Sequence, residues 1–210
     1  MSKNVIGYET FSNNPILPAK SFIPEWYKKS TSKDLKQCVP FLDAFTSGYI
    51  ITLPNDLHVS LNNETPEIKL SDGTIYKGSF RDARNINTIP FNHYEIEFAW
   101  DFCVAIHIPA GSSIVLTHPL NRYDLPFITL SGIIDGEFTI VPHGAIPFYI
   151  QKGFEGVIKA GTPIAQIIPF NNDSWKAEVE AGLFENSKKY RRSMPIDWYK
   201  KNSWKRKHYD

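Results

Sequence analysis

Short apolar runs separated by turn-forming residues dominate the middle of the chain. Glycine, proline, asparagine or aspartate stands between successive runs, and this punctuation is typical of a compact antiparallel β domain. We therefore predict an all-β fold, mainly an antiparallel barrel or sandwich of β-clip-like form, with short helices near the N- and C-termini. The runs that carry this prediction are Ile114–Leu116, Phe127–Leu130, Val157–Ile158 and Ile164–Ile168.

Further strands are predicted on the N-terminal side of these runs. Asp72-Gly73, between alternating segments, is the strongest hairpin signal in the chain. The polar segment 80–93 shows little periodicity and predicts a loop that could hold a short helix. The other predicted strands are Tyr49–Leu53, His58–Leu61, Glu95–Trp100 and Phe102–Ile108.

The chain divides into a core and two ends. We expect an N-terminal arm over residues 1–48 that docks on the core, a β core over 49–170, and a helical, basic and aromatic extension over 171–210. Pro24 is well placed to begin a short helix, and Trp26 with Tyr27 either anchors the arm or forms a partner surface. Asp173 or Ser174 can cap a helix that runs to Ala181.

Composition indicates a folded protein without a strong net electrostatic field. Hydrophobic residues make up 42% of the chain and charged residues 21%, and the formal net charge is +1. The cysteines, Cys38 and Cys103, lie far apart without metal-ligand or disulfide-scaffold spacing, which is consistent with a reducing cytosol. No apolar run approaches the roughly 20 residues that a membrane span needs. We expect no membrane contact and no secretion signal.

The densest polar cluster lies in the segment from Thr117 to Asp124. His118, Asn121, Arg122 and Asp124 within one loop could bind an anion or perform acid–base chemistry, since arginine offers a rigid fork and histidine titrates near neutrality. The structural alternative, which we favour, is that Arg122 pairs with Asp124 and that His118 caps a strand. The six histidines show no metal-binding spacing, and the chain contains no phosphate-binding glycine loop or nucleophile elbow. We therefore predict no metal site.

The C-terminal tail mixes basic and aromatic residues. Such a mixture can follow a phosphate backbone and stack on bases, but it is equally typical of an exposed helix whose tryptophans pack on the domain. We prefer the second interpretation, in which nucleic acid is not a partner. The candidate nucleic-acid-binding residues are Lys200, Lys201, Trp204, Lys205 and Arg206.

Two segments resemble the dUTPase and dCTP-deaminase superfamily. Residues 132–138 (GIIDGEF) are similar to its third motif, and residues 157–168 (VIKAGTPIAQII) to its final strand. The resemblance implies a distorted β barrel that assembles as a trimer, with Asp135 orienting the attacking water and Phe138 packing on deoxyribose. Gln166, in the second segment, joins the ligand-binding candidates. The upstream Arg-Ser-Ser/Gly phosphate motif of that family is not present.

A second resemblance spans most of the chain. The segments His118–Arg122 (HPLNR) and Gly161–Gln166 (GTPIAQ) carry it, together with Trp26, Trp100 and Trp175. They are similar to a family of uncharacterised proteins encoded mainly by tailed bacteriophages. The resemblance implies an origin rather than an activity.

The preferred functional hypothesis is a phage-encoded, non-catalytic β-domain protein that acts as a binding, virion-associated or host-takeover module, in the host cytoplasm or the virion. Its partner would be another copy of the chain or a phage or host protein, and no cofactor is predicted. The alternative is a nucleotide-binding or nucleotide-hydrolysing protein of dUTPase-like fold. In that case Mg²⁺ would bridge the phosphates, Asp135 would align water and Arg122 would clamp a phosphate.

Overall fold

The fold was analysed in a computed structural model that describes residues 5–10, 14–76, 89–101, 104–140, 143–193, 195 and 197–209. These residues form short strands throughout, with short helices towards both ends. The strands are β1 Gly7–Thr10, β2 Leu17–Pro18, β3 Tyr49–Thr52, β4 Leu57–Asn62, β5 Thr65–Leu70, β6 Ile75–Tyr76, β7 His93–Asp101, β8 Val104–His107, β9 Ser112–Thr117, β10 Phe127–Thr129, β11 Gly132–Asp135, β12 Thr139–Ile140, β13 His143–Gln151, β14 Gly156–Ile158 and β15 Pro163–Asn171. The helices are a 3-10 turn at Ala19–Phe22, then α1 Glu25–Lys29, α2 Lys33–Gln37, α3 Val39–Thr46, α4 Leu183–Ser193 and α5 Trp198–Asn202.

The strands form four small antiparallel sheets. The largest has the order β11-β9-β15-β3-β2, and the others are β1-β8-β12, β10-β13-β7 and β14-β4-β5-β6. Every strand pair among the described residues is antiparallel. The prediction of a mainly antiparallel all-β fold with short helices near both termini is confirmed.

Most predicted strands are present with nearly the predicted bounds. β4 shows the alternation of a half-buried strand, with Leu57 and Val59 buried and His58 and Ser60 exposed. The hairpin at Asp72-Gly73 is also confirmed, since Lys69 pairs with Ile75 and the amide of Leu70 donates to the Thr74 carbonyl at 2.9 Å. Residues 80–88 of the predicted loop lie outside the described residues.

The main hydrophobic core of the described residues lies between the sheets. Trp100 on β7 stacks on Phe148 on β13 with ring centroids 3.5 Å apart and planes 8° apart, and both rings are fully buried. The Trp100 Nε1 proton is donated to Thr129 Oγ1 at 2.9 Å, and that hydroxyl donates in turn to the Ile164 carbonyl at 2.6 Å. This relay lets an indole and a hydroxyl be buried with their hydrogen bonds satisfied.

The N-terminal helices form a layer beside the largest sheet. Pro24 precedes α1 as predicted, and the ring of Tyr27 packs on Phe45 of α3 with centroids 5.1 Å apart. Trp26 also contacts Phe45, and its indole Nε1 donates to Asp124 at 3.4 Å. These contacts agree with an anchoring role for the two aromatic residues.

The C-terminal part leaves the body after β15 and returns at its end. The prediction of a helix over residues 175–181, capped by Asp173 or Ser174, is wrong, because residues 172–180 lie in neither helix nor strand and each is exposed. A short helix in water needs packing on a neighbour, and this segment has none among the described residues. The chain returns at Trp204, whose Nε1 donates to Asp43 of α3 at 3.0 Å.

Candidate functional site

The predicted site residues fall into two groups at opposite ends of β9. Asp135 lies opposite Ser113, near the start of β9, whereas His118 follows directly after its last residue. A strand rises about 3.3 Å per residue, so these two ends are roughly 16 Å apart along the strand. The structure therefore gathers His118, Asn121, Arg122, Asp124 and Gln166 around one loop and leaves Asp135 with Phe138 at the other end.

His118 is held by two hydrogen bonds within its surroundings. Its Nδ1 accepts from the backbone amide of Thr129 at 3.3 Å, and its Nε2 lies 3.0 Å from the Arg122 carbonyl oxygen. An acceptor role for Nδ1 requires the neutral ring with its proton on Nε2, which can then donate to that carbonyl. Burial lowers the pKa of His118, although the bond to the Arg122 carbonyl opposes this shift. Both ring nitrogens thus serve to fix the loop.

Arg122 and Asp124 form a two-bond ion pair across their own turn. Arg122 Nε lies 2.8 Å from Asp124 Oδ1, and the second bond to Oδ2 measures 3.0 Å. Partial burial alone would raise the pKa of Asp124, but the hydrogen bond and charge of Arg122 hold that pKa below its usual value. The turn is completed by Asn121, whose φ of 59° is one that asparagine tolerates better than most residues. This pairing agrees with the structural alternative that we favoured from the sequence, in which Arg122 pairs with Asp124.

Gln166 connects this loop to the N-terminal layer. It is 1% exposed on the central strand β15. Its Oε1 accepts from the Leu120 amide at 2.8 Å, and its Nε2 donates to the carbonyls of Ala44 at 2.9 Å and Ser47 at 2.7 Å. This one side chain on β15 therefore accepts a hydrogen bond from the loop and donates two to the end of α3. A ligand-binding role for Gln166 and its neighbours in the loop stays a prediction.

The state of His118 leads to a pH prediction. An unfolded histidine titrates near 6.5, and the folded pKa of His118 is lower, so the unfolded chain binds this proton more readily. The stability contributed by neutral His118 is therefore complete above about pH 6.5 and is lost as the pH falls through the folded pKa. We expect the urea concentration at the unfolding midpoint of the wild type to fall as the pH is lowered from about 6.5 through the folded pKa of His118.

The matched variants for this measurement are His118→Gln and His58→Gln. A glutamine amide can accept and donate in place of the ring but does not titrate, so His118→Gln should lose this component of the pH dependence. His58 is exposed on β4, and its substitution should leave the component intact. The prediction fails if His118→Gln and the wild type show parallel stability curves between pH 4.5 and 7.5.

Asp135 contacts the end of β9 through a hydroxyl. Ser113 is 1% exposed, and its Oγ donates to Asp135 Oδ1 at 2.8 Å. The same oxygen lies 2.6 Å from Asn172 Oδ1, at the point where the chain leaves β15. Phe138, three residues after Asp135, has 58% of its surface exposed. The predicted catalytic residue is thus exposed beside a buried hydroxyl, and its catalytic role stays a prediction.

A concave surface that the sequence did not indicate lies beside Ser113. It encloses about 730 Å³ between β1 and the largest sheet, and β3, β9 and β15 contribute to its floor. We call it the apolar groove. Four exposed large side chains line it: Val5 at 67%, Tyr8 at 47%, Leu17 at 40% and Phe170 at 39%. No lysine, arginine, aspartate or glutamate is among the described residues that line it. Clustered exposed apolar surface is typical of ligand and partner sites, so the groove is a candidate binding site.

The C-terminal residues close one side of the apolar groove. Tyr209 lines it and packs on Tyr49 of β3 with ring centroids 5.7 Å apart. Trp204 and Lys207 both bind Asp43, so this end of the basic tail is anchored to α3. Lys200, Lys201, Lys205 and Arg206 are exposed, and their role as nucleic-acid-binding candidates stays the less favoured hypothesis.

No metal centre is found in the described part of the chain, where no three histidine, cysteine, aspartate or glutamate side chains group suitably for a metal ion. The same residues contain no helix long and apolar enough to cross a membrane.

Comparisons with known proteins add little to this description. No family model matches the chain, and no curated protein matches it. The chain is similar to a solved structure described as native EIAV dUTPase, with 14% identity over 85% of this chain and 100% of that chain and a TM-score of 0.36. That similarity is too low to carry an argument. The resemblance to tailed-phage proteins is supported by none of these comparisons, and the antiparallel architecture rests on the strands described above.

Proposed function

We propose that this protein is a non-catalytic binding module that recognises an apolar polypeptide segment in its apolar groove. The observation that carries the proposal is the character of the groove, which has no lysine, arginine, aspartate or glutamate in its described lining, is partly open, and is bordered by Val5, Tyr8, Leu17 and Phe170. Its volume of about 730 Å³ is within the usual range of about 300–1,000 Å³ for ligand sites. Burial of these side chains by a partner would supply the hydrophobic driving force.

The edges of two sheets support a polypeptide as the ligand. Among the described strands, β1 lies at the edge of its sheet and β2 at the edge of the largest sheet, and both border the apolar groove. An extended segment can pair with such an edge through its main chain while alternate side chains fill the adjoining depression. Pro18 has no backbone N–H, which weakens β2 as a pairing edge and favours β1.

The residues with acid–base chemistry support binding over catalysis. His118, Arg122 and Asp124 are bonded to one another or to the backbone, and these bonds hold a loop in place. The resemblance to phage proteins would make the partner a virion or host protein, in a virion or the host cytoplasm. That assignment stays a prediction.

A nucleotide is the second candidate ligand, and one contact favours it. Ser113 lines the apolar groove and donates to Asp135, so the carboxylate that the dUTPase resemblance assigns to water activation lies at the edge of this groove. Arg122, the predicted phosphate clamp, belongs to the loop beyond the opposite end of β9. The described lining also lacks the lysine and arginine side chains with which proteins usually bind a triphosphate.

A peptide-display selection tests the binding proposal. Peptides of alternating apolar and polar residues should be enriched on the wild-type protein and should bind Leu17→Asp at least tenfold more weakly, because the substitution places a charge in the apolar groove. Tyr123→Asp is the matched control, since Tyr123 is 84% exposed on the loop between β9 and β10 and is not among the groove's lining residues, and it should bind like the wild type.

Equal peptide binding by the wild type and Leu17→Asp would refute the proposal. A thermal-shift series with dUTP and dCTP in the presence of Mg²⁺ separates the second candidate. A nucleotide-dependent rise in the melting temperature that disappears in Asp135→Asn would favour nucleotide binding.

A further inference from the structure

The last described residues of the chain fold back on the N-terminal layer after α5 ends at Asn202. We call residues 204–209 the C-terminal strap. The Trp204 indole Nε1 donates to Asp43 Oδ2 on α3 at 3.0 Å, and the Lys207 ammonium contacts the same oxygen. Two donors therefore hold the strap on a single carboxylate, which anchors it to α3.

The end of the C-terminal strap reaches the apolar groove. His208 and Tyr209 are both lining residues of the groove. The Tyr209 ring meets the Tyr49 ring edge to face, with centroids 5.7 Å apart and planes 78° apart, and the Tyr209 carbonyl accepts from Lys20 Nζ at 3.4 Å. One wall of the groove is thus formed by the end of the chain, whereas the floor is formed by strands.

This wall is held less firmly than the floor beside it. Ile114 and Ile167 in the floor are buried in the five-stranded sheet, so they move only if strands separate. The C-terminal strap lies in neither helix nor strand, and the lysine of its ion pair with Asp43 is 44% exposed. Exposed ion pairs contribute little stability, and weakly packed segments open while the rest of a domain stays folded. The strap can therefore leave the groove without unfolding the sheet.

The strap and a partner would meet at the same end of the groove. Tyr49 lies beside β2, because Pro18 pairs with it in the sheet, and the exposed Leu17 is the other residue of β2. A partner segment that covers Leu17 and extends towards β3 would meet the Tyr209 ring where it packs on Tyr49. Occupation of this end by the partner and by Tyr209 is therefore mutually exclusive.

We infer that the C-terminal strap is an autoinhibitory segment, which closes the Tyr49 end of the apolar groove through Tyr209 and must be displaced before a polypeptide partner occupies that end. The inference rests on the proposed function, since it concerns the regulation of the same groove. The apparent affinity of a ligand that binds only an open form is reduced by the fraction of molecules that are open. Contacts that hold the strap closed therefore weaken partner binding, and their loss strengthens it.

Two substitutions that release the strap test the inference in the whole chain. Asp43→Ala removes the anchor and places a good helix former on α3, and Tyr209→Ala removes the ring that closes the groove. Each variant should bind a fluorescein-labelled, display-selected peptide at least about threefold more tightly than the wild type does in fluorescence anisotropy titrations.

The matched controls remove the same kinds of side chain elsewhere. Asp56→Ala removes another carboxylate that contacts a lysine ammonium, and Tyr199→Ala removes an exposed tyrosine of the same tail. Neither residue lines the apolar groove, so both variants should bind the peptide like the wild type.

Trypsin cleavage measures the release of the strap separately from peptide affinity. The protease must take up the Lys207 side chain to cut after it, and that side chain is bound to Asp43. Asp43→Ala should therefore raise the initial rate of cleavage after Lys207, followed by mass spectrometry, by at least about threefold. A saturating display-selected peptide without lysine or arginine should also raise this rate in the wild type.

The inference is overturned if either Asp43→Ala or Tyr209→Ala binds the peptide no more tightly than the wild type, or if saturating peptide leaves the cleavage rate after Lys207 unchanged. Weaker binding by Tyr209→Ala would mean that the ring belongs to the binding surface. If Asp43→Ala fails to fold by circular dichroism, Lys207→Ala takes its place in the titration. In these cases the proposed function stands as long as Leu17→Asp loses peptide binding. Equal binding by Leu17→Asp and the wild type would refute the proposed function and the inference with it.

Discussion

Replacing Gln166 with methionine is expected to lower the free energy of unfolding by about 3 kcal/mol or more. Methionine keeps the length of the side chain but cannot replace the bonds to the Leu120 amide and to the carbonyls of Ala44 and Ser47. A buried polar group that loses its partner costs about 1–3 kcal/mol, and the substitution removes the partner of three part-buried backbone groups. Urea denaturation followed by tryptophan fluorescence measures the loss.

Two further variants make the test specific to these bonds. Gln166→Glu should be at least as damaging at neutral pH, because a carboxylate cannot donate to the two carbonyls and would be buried against them. Gln37→Met provides the surface control, since Gln37 is exposed at the end of α2, and its stability should stay within about 0.5 kcal/mol of wild type. A Gln166→Met protein as stable as Gln37→Met would show that the three bonds contribute nothing net.

The strands of the core were predictable because the turn-forming residues that bound them act locally in the sequence. Tyr49–Leu53 and the Asp72-Gly73 hairpin are bounded by residues whose backbone preferences act within a few positions. β13 was not among the predicted strands, because proline is disfavoured inside a sheet and Pro147 lies within it. Pro147 is tolerated in this strand, where its carbonyl accepts from the Leu130 amide at 2.9 Å, although it has no N–H of its own to donate.

The functional surfaces were less predictable because they depend on distant contacts. The cluster from His118 to Asp124 could be found as a local concentration of polar residues, but its partners Trp26 and Thr129 lie in other elements. The apolar groove has no local signature, since its walls come from β1, β2 and the end of β15.

The second large effect is expected at Gly48, between α3 and β3. Its φ of +72° is unfavourable for any residue with a side chain, and an added Cβ would lie 1.9 Å from the Ile167 carbonyl oxygen. Because that atom is backbone on the central strand β15, relief requires β3 and β15 to separate. Gly48→Ala should therefore lose about 3 kcal/mol or more. It should also widen the apolar groove, whose lining includes Tyr49 and Ile167.

Gly161→Ala separates the two causes of that loss. Gly161 has a similar φ of +81°, but no atom lies within 4 Å of its added Cβ, so alanine there should cost only the backbone term of about 1–2 kcal/mol. The difference between the two variants then measures the close approach of Gly48 to β15. Equal losses of unfolding free energy would mean that the β15 backbone at Ile167 can move away from the added methyl group without an energetic cost. A larger loss at Gly48, with weaker peptide binding in its folded fraction, would show that this contact holds the floor of the apolar groove in place.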